Sequence, residues 1–164
     1  MPDSYQVNMS IRKVSKVKIS RKDLGLPEDA FIFCCFNNAY KISPLTFKSW
    51  MRLLTKVQGS VIWLLIKDQN AIKNLQQEAE KFGVGKERLV FASYVDVEDH
   101  LNRIKNANLF LDTLPYNAHT TASDALRVGL PVITCLGSSF ASRVAASLLN
   151  AVNMSELITT SQES

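Results

Sequence analysis

Two short stretches of the chain carry side chains that together suit the binding of a phosphorylated ligand. The first reads Phe36-Asn37-Asn38-Ala39-Tyr40-Lys41 and supplies amides and a cation. The second reads Asp112-Thr113-Leu114-Pro115-Tyr116-Asn117-Ala118-His119-Thr120-Thr121 and runs into a segment of helical spacing. Thr120 suits the cap of that helix, so the backbone N–H groups of Thr120, Thr121 and Ala122, aided by the helix dipole, form an anion site. A lysine across from them completes a diphosphate clamp. Taken singly, the same residues have plainer readings: Lys41 as a solvated loop lysine, Asp124 as an acid at the positive end of its helix, His119 as a loop histidine donating to a carbonyl.

Several other chemistries lack their residues. No G-x-G-x-x-G follows the first strand and no G-K-[ST] loop occurs, which removes dinucleotide and P-loop readings. The loops that would face a ligand hold no carboxylate cluster for Mg²⁺, because Asp96, Glu98 and Asp99 read as a helix cap. No metal and no cofactor are expected. Fixed positive groups, Lys41 and the helix end, must then carry the charge of a departing diphosphate.

A sheet is needed to bring the two stretches together. From residue 31 onward, short apolar runs alternate with segments of helical spacing, the pattern of an α/β fold with helices covering a mostly parallel sheet. Strands are expected at Phe31–Phe36, Val61–Ile66, Arg88–Ala92, Leu109–Asp112 and Val132–Cys135. Ser43-Pro44 starts a helix whose apolar face is Phe47, Trp50, Met51, Leu54 and Val57. Further helices are expected from Ala71 to Phe82, from Asp96, from Thr120 to Gly129 and from Ala141 to Leu149. With right-handed crossovers these elements give a doubly wound, Rossmann-like sheet of five or six strands, most simply ordered 3-2-1-4-5. Ligands of such sheets bind beyond the carboxyl ends of the strands where the order reverses, here between the first and fourth strands. Both ligand-suited stretches leave those two strands.

Composition sets the wider limits. The chain has 164 residues, 46% of them hydrophobic, 21% charged, with a net charge of +4, as expected of one ordinary globular domain. Residues 1 to 22 hold Arg12, Lys13, Lys16, Lys18, Arg21 and Lys22 against Asp3, so the remainder is close to neutral. No basic face recurs later in the chain, and nucleic acid is not expected as a partner. The divisions expected are a basic arm at 1–22, a Rossmann-like lobe at 23–158 and a frayed tail at 159–164. No apolar run approaches the length of a membrane span. The three cysteines, Cys34, Cys35 and Cys135, are odd in number and sit in apolar runs, which fits a reduced, cytoplasmic compartment.

The segments Phe36-Asn37-Asn38-Ala39-Tyr40-Lys41-Ile42, Leu111 to Asp124 and Ala141-Ser142-Arg143-Val144-Ala145-Ala146-Ser147 resemble the C-terminal catalytic lobe of protein O-linked N-acetylglucosamine transferases. These form glycosyltransferase family 41, and the likeness is to its bacterial members with tetratricopeptide repeats. The resemblance covers nearly the whole chain. It implies one lobe of a GT-B enzyme that moves N-acetylglucosamine from a UDP-sugar, with inversion and without a metal, to Ser or Thr hydroxyls of proteins. By the same resemblance Lys41 would contact the diphosphate and stabilise departing UDP, with Asn38 beside it where animal enzymes have Gln. His119, Thr120 and Thr121 would hold the phosphates, Asp124 the ribose hydroxyls, and His100 and Arg103 the uracil. Val97 stands where animal enzymes place a lysine against the base. A plant branch that uses GDP-fucose lacks the histidine before its threonines, so His119 points to UDP.

A two-lobed enzyme would hold its donor between lobes, and this chain accounts for one. The expectation is a fragment that folds and binds UDP weakly without turnover, its partners being the other lobe and the repeat region. Two other classes are weighed: a non-catalytic nucleotide-binding or partner-docking module using the same crevice, and a nucleic-acid-associated protein using the basic arm.

Overall fold

A computed structural model of the chain describes residues 12–163. Its strands are β1 Phe31–Cys35, β2 Ser60–Leu65, β3 Leu89–Ala92, β4 Leu109–Leu111, β5 Val132–Cys135 and β6 Ile158–Thr159. All pair in parallel, in the order β3-β2-β1-β4-β5-β6. The expected order 3-2-1-4-5 is therefore extended by one edge strand. The helices are α1 Pro44–Lys56, α2 Gln69–Lys81, α3 Val97–Arg103, α4 Thr120–Arg127 and α5 Val144–Ala151. Right-handed crossovers put α1 and α2 on one face of the sheet and α3, α4 and α5 on the other.

Because helices cover both faces, the central strands are continuous apolar runs, apart from Ser60 at the start of β2, rather than alternating. In β1 every residue after Phe31 is buried, and β2 is buried from Ser60 through Leu64. β1 is held on both edges: Cys34 lies opposite Trp63 on one side and Phe110 on the other. This central strand ends at the switch point, between β2 and β4.

Local chemistry sets the helix ends. Ser43 accepts from the Thr46 amide at 3.2 Å and Pro44 occupies the first turn, as the Ser-Pro pair predicts. α2 starts earlier than expected because Asp68, accepting from the Ala71 amide at 2.7 Å, is its cap. Gly129 leaves α4 with φ +81°, a left-handed conformation in which a Cβ would be strained.

Some expectations are corrected. Asp96 does precede α3, but its side chain makes no capping bond, so the capping box with Asp99 is not formed. His119, not Thr120, is the cap position of α4, and Thr120 is its first helical residue. The tail expected to fray from 159 instead starts inside β6: Leu136 N donates to Thr159 O at 2.8 Å, and Arg52 Nη2 donates to Gln162 O at 2.9 Å. Of the basic arm at 1–22, residues 1–11 lie outside the described residues. Residues 12–22 run along the α3 face, where Asn102 Nδ2 donates to Val17 O at 2.7 Å and Arg21 bonds Asn106 O, Glu28 O and Ala30 O.

Candidate functional site

At the carboxyl ends of β1 and β4 a polar network joins the two ligand-suited loops. Its centre is Asn37, 2% exposed, the residue at which β1 gives way to its loop. Asn37 Nδ2 donates to Thr113 Oγ1 at 2.8 Å, and Thr121 Oγ1 donates to Asn37 Oδ1 at 2.5 Å. The hydroxyl hydrogen of Thr121 is thereby committed to the protein. What Thr121 offers an anion is its helix-end amide.

Asp112 organises the β4 loop from beneath. Its Oδ1 accepts from the amides of Thr113 at 2.7 Å and Ala118 at 2.5 Å, and its Oδ2 from Thr134 Oγ1 at 2.6 Å. Despite these bonds and the nearby Lys41 charge, burial dominates and pushes its pKa up to about 6. Asn117, fully buried, extends the same bracing: its Nδ2 donates to Thr113 O at 2.8 Å and its amide to Ala141 O at 2.9 Å. Asn37, Asp112 and Asn117 were not foreseen as site residues.

Lys41 reaches across from the other loop. Its Nζ donates to Asn117 O at 2.9 Å and sits 3.7 Å from the centroid of the Tyr116 ring. The ammonium therefore touches the loop that leads into α4. An ammonium has three donors, so two remain for a ligand after the Asn117 bond. Burial lowers the pKa of Lys41 from its ordinary value, against the pull of Asp112. The Tyr116 ring lies between those of Tyr40, 6.4 Å away, and His119, 5.2 Å away. Burial and the Lys41 charge both lower the His119 pKa, favouring the neutral imidazole.

His100 and Arg103 form a second group, on α3. Arg103 is 5% exposed and donates to Ser93 O at 2.6 Å. Its Nε and Nη2 also lie 3.4 and 3.3 Å from His100 Nδ1. An arginine only donates, so Nδ1 is the acceptor and the ring proton sits on Nε2. Burial, reinforced by the Arg103 charge, lowers the His100 pKa to about 4. The His100 ring meets Phe36 edge-on at 5.1 Å, which ties this group to the end of β1. Arg103 is thus buried and in contact with His100.

The remaining expected residues are placed as follows. Asn38 is exposed at the start of the 3-10 turn Ala39–Lys41, and its side chain makes no capping bond. Thr120 is exposed and Thr121 half-buried in the first turn of α4. Asp124, one turn further along, is 7% exposed and bonded by Arg12 Nη1 at 2.6 Å. Two cavities border these residues, the first reaching Asp112 and Thr113 and the second Arg103. One, of about 550 Å³, lies between α1 and β4–β6 and includes Trp50, Leu53 and Ile133, and another, of about 410 Å³, lies beside α3 and includes Trp63, Phe91 and Arg103.

Comparison with known proteins gives concordant matches. The family description "Glycosyl transferase family 41" fits residues 8–164. The UDP-N-acetylglucosamine–peptide N-acetylglucosaminyltransferase of Caenorhabditis elegans is 38% identical over 139 residues, which is 85% of this chain and 12% of that protein. The probable UDP-N-acetylglucosamine–peptide N-acetylglucosaminyltransferase SEC of Arabidopsis thaliana is 36% identical over 159 residues, 94% of this chain and 16% of that protein. Among solved structures, a mutant O-GlcNAc transferase of Thermobaculum terrenum superposes with a TM-score of 0.78 at 32% identity, covering 86% of this chain and 28% of that one. The chain thus spans a small part of the length of each of these relatives.

Proposed function

The chain belongs to glycosyl transferase family 41, and we propose that it is the donor-binding lobe of an enzyme that transfers N-acetylglucosamine from UDP, with inversion and without a metal, to Ser or Thr hydroxyls of proteins. The observation that carries this reading is the 2.9 Å bond from Lys41 Nζ to Asn117 O, which fixes an ammonium at the approach to α4. The cation and the positive end of the helix dipole then act on the same small volume. Two phosphates bound there receive charge from both.

Each residue has a share in that work. Lys41, held by Asn117 and the Tyr116 ring, meets the developing charge on the departing UDP without first having to reorganise. The first-turn amides of α4 bind the phosphates, and His119 stands beside them with its ring held by the Ala141 carbonyl. Asp124 accepts from the ribose hydroxyls. His100, with its proton on Nε2, presents a donor to a carbonyl of the base, which suits uracil. The names of the relatives from Caenorhabditis elegans and Arabidopsis thaliana supply the sugar and the peptide acceptor. The acceptor surface and any general base belong to the other lobe and the repeat region, so this lobe binds donor and does not turn over.

Calorimetric titration with UDP, GDP and a short DNA duplex tests the reading. UDP is expected to bind in clear preference to the other two. Equal affinity for UDP and GDP, or preference for the duplex, contradicts it, and sugar transfer to a peptide by this chain contradicts the division of labour between lobes.

A further inference from the structure

Asp124 is a carboxylate in an awkward place. Its side chain is 9% exposed, and burial raises its pKa against the opposing charges of Arg12 and Arg127. Arg127 lies on α4 itself. Arg12 comes from far away in sequence, on the segment that precedes the sheet, and its Nη1 lies 2.6 Å from Asp124 Oδ1. Among the described residues no hydrogen bond is made to Asp124 Oδ2.

The segment carrying Arg12 is held in register. Arg21 anchors one end through the carbonyls of Asn106, Glu28 and Ala30, with Nη2 also donating to Asn108 Oδ1 at 3.0 Å. Asn102 of α3 takes Val17 O, and Ser15 N donates to Glu98 O at 3.2 Å. The segment thus passes along α3, which carries His100, and delivers Arg12 to α4. A contact fixed at several points along its approach holds a set geometry, which a guanidinium on a loose arm does not.

We propose that Arg12 is a positioning residue of the donor site: its guanidinium holds one oxygen of Asp124 and leaves the other to accept from the hydroxyls of the donor's ribose. The inference rests on the reading of the crevice as a UDP site and extends that site to a residue outside the lobe as divided at residue 23. The guanidinium does two things. It fixes the carboxylate's rotamer, so that no rotameric freedom is lost when ribose binds. It also favours the ionised carboxylate, the form that accepts two hydroxyl hydrogens.

The test uses the 164-residue chain, with UDP and 2′,3′-dideoxy-UDP titrated against the parent protein, Arg12→Ala, Arg12→Lys and Asp124→Asn between pH 4 and pH 8. UDP is expected to lose about tenfold in affinity in Arg12→Ala, the equivalent of one charge-assisted hydrogen bond, while dideoxy-UDP is unaffected. UDP affinity falls as acid protonates Asp124, and in Arg12→Ala that fall is expected to begin at higher pH. Arg12→Lys, which keeps the charge, is expected to recover most of the loss and the parental pH profile. The inference is overturned if Arg12→Ala weakens both nucleotides equally, leaves UDP unchanged, or tightens it, the last showing an occluding arm. If the parent protein binds UDP no better than dideoxy-UDP, the ribose reading of Asp124 fails instead, and the inference goes with it.

Discussion

Thr121 donates its hydroxyl hydrogen to Asn37 across the switch point of the sheet, at 2.5 Å. The bond joins the loop after the central strand to the first turn of α4, and through Asn37 Nδ2 it continues to Thr113 and, at 3.4 Å, to Asp112. Two loops remote in sequence are thereby made into one rigid surface.

Removing the centre of that network should be costly. Asn37→Ala is expected to destabilise the chain by about 2 to 3 kcal/mol, because it leaves buried partners without their bonds, whereas Thr121→Val removes one bond and should cost about 1 kcal/mol. Denaturant unfolding measures both. Equal small effects would show that the network does not brace the loops.

Lys41→Met is expected to weaken UDP binding by about 1.5 to 3 kcal/mol, the range for a bond to a charged group, while the lost Asn117 bond and ring contact cost about 1 kcal/mol of stability. Titration and thermal unfolding on the same samples separate the two effects. Unchanged UDP affinity would remove the lysine from the phosphates.

The dependence of stability on pH should hide two opposed contributions. With a folded pKa of about 6, Asp112 keeps its proton in the folded chain after the unfolded chain has lost it, so its contribution to stability falls as pH rises from about 4 to about 6. With a folded pKa of about 4, His100 releases its proton in the folded chain before the unfolded chain does, so its contribution rises with pH up to about 6.5. Asp112→Asn is expected to unmask a rise of about 2 to 3 kcal/mol across this window, and His100→Asn a fall of similar size. Urea midpoints at half-unit pH steps would show it, and parallel profiles for the two variants would contradict it.

The contact between Arg103 and His100 has its own signature. In Arg103→Met the pKa of His100, followed by its ring-proton resonances, should rise, yet stay below that of a free histidine because burial is the larger cause of its depression. No change would mean that Arg103 does not act on the ring.

Much of the fold was legible because the central strands are continuous apolar runs and Ser43-Pro44 spells a helix start. Lys41, His119, Thr120 and Thr121 were legible as a set because they leave the two strands that flank the switch point. β6 was not individually legible, since a pairing of Ile158 and Thr159 alone leaves no periodicity. Nor was the course of residues 12–22, which are held by side-chain bonds to scattered carbonyls, such as those of Arg21, rather than by a repeating apolar face. Asn37 and Asp112 read as loop polar residues because their roles depend on partners, Thr121 and Thr134, that only the folded chain brings near. The burial of Arg103 against His100 depends on packing that spacing does not show.

The most direct measurement is a backbone amide shift map of the chain titrated with UDP. Binding between the β1 and β4 loops predicts the largest shifts at Lys41, Ala118, Thr121 and Ala122, with smaller ones at His100 and Asp124. Shifts centred on Arg52 and Gln162, at the cavity beside α1, would place the nucleotide on the opposite face of the sheet and contradict the proposed donor site.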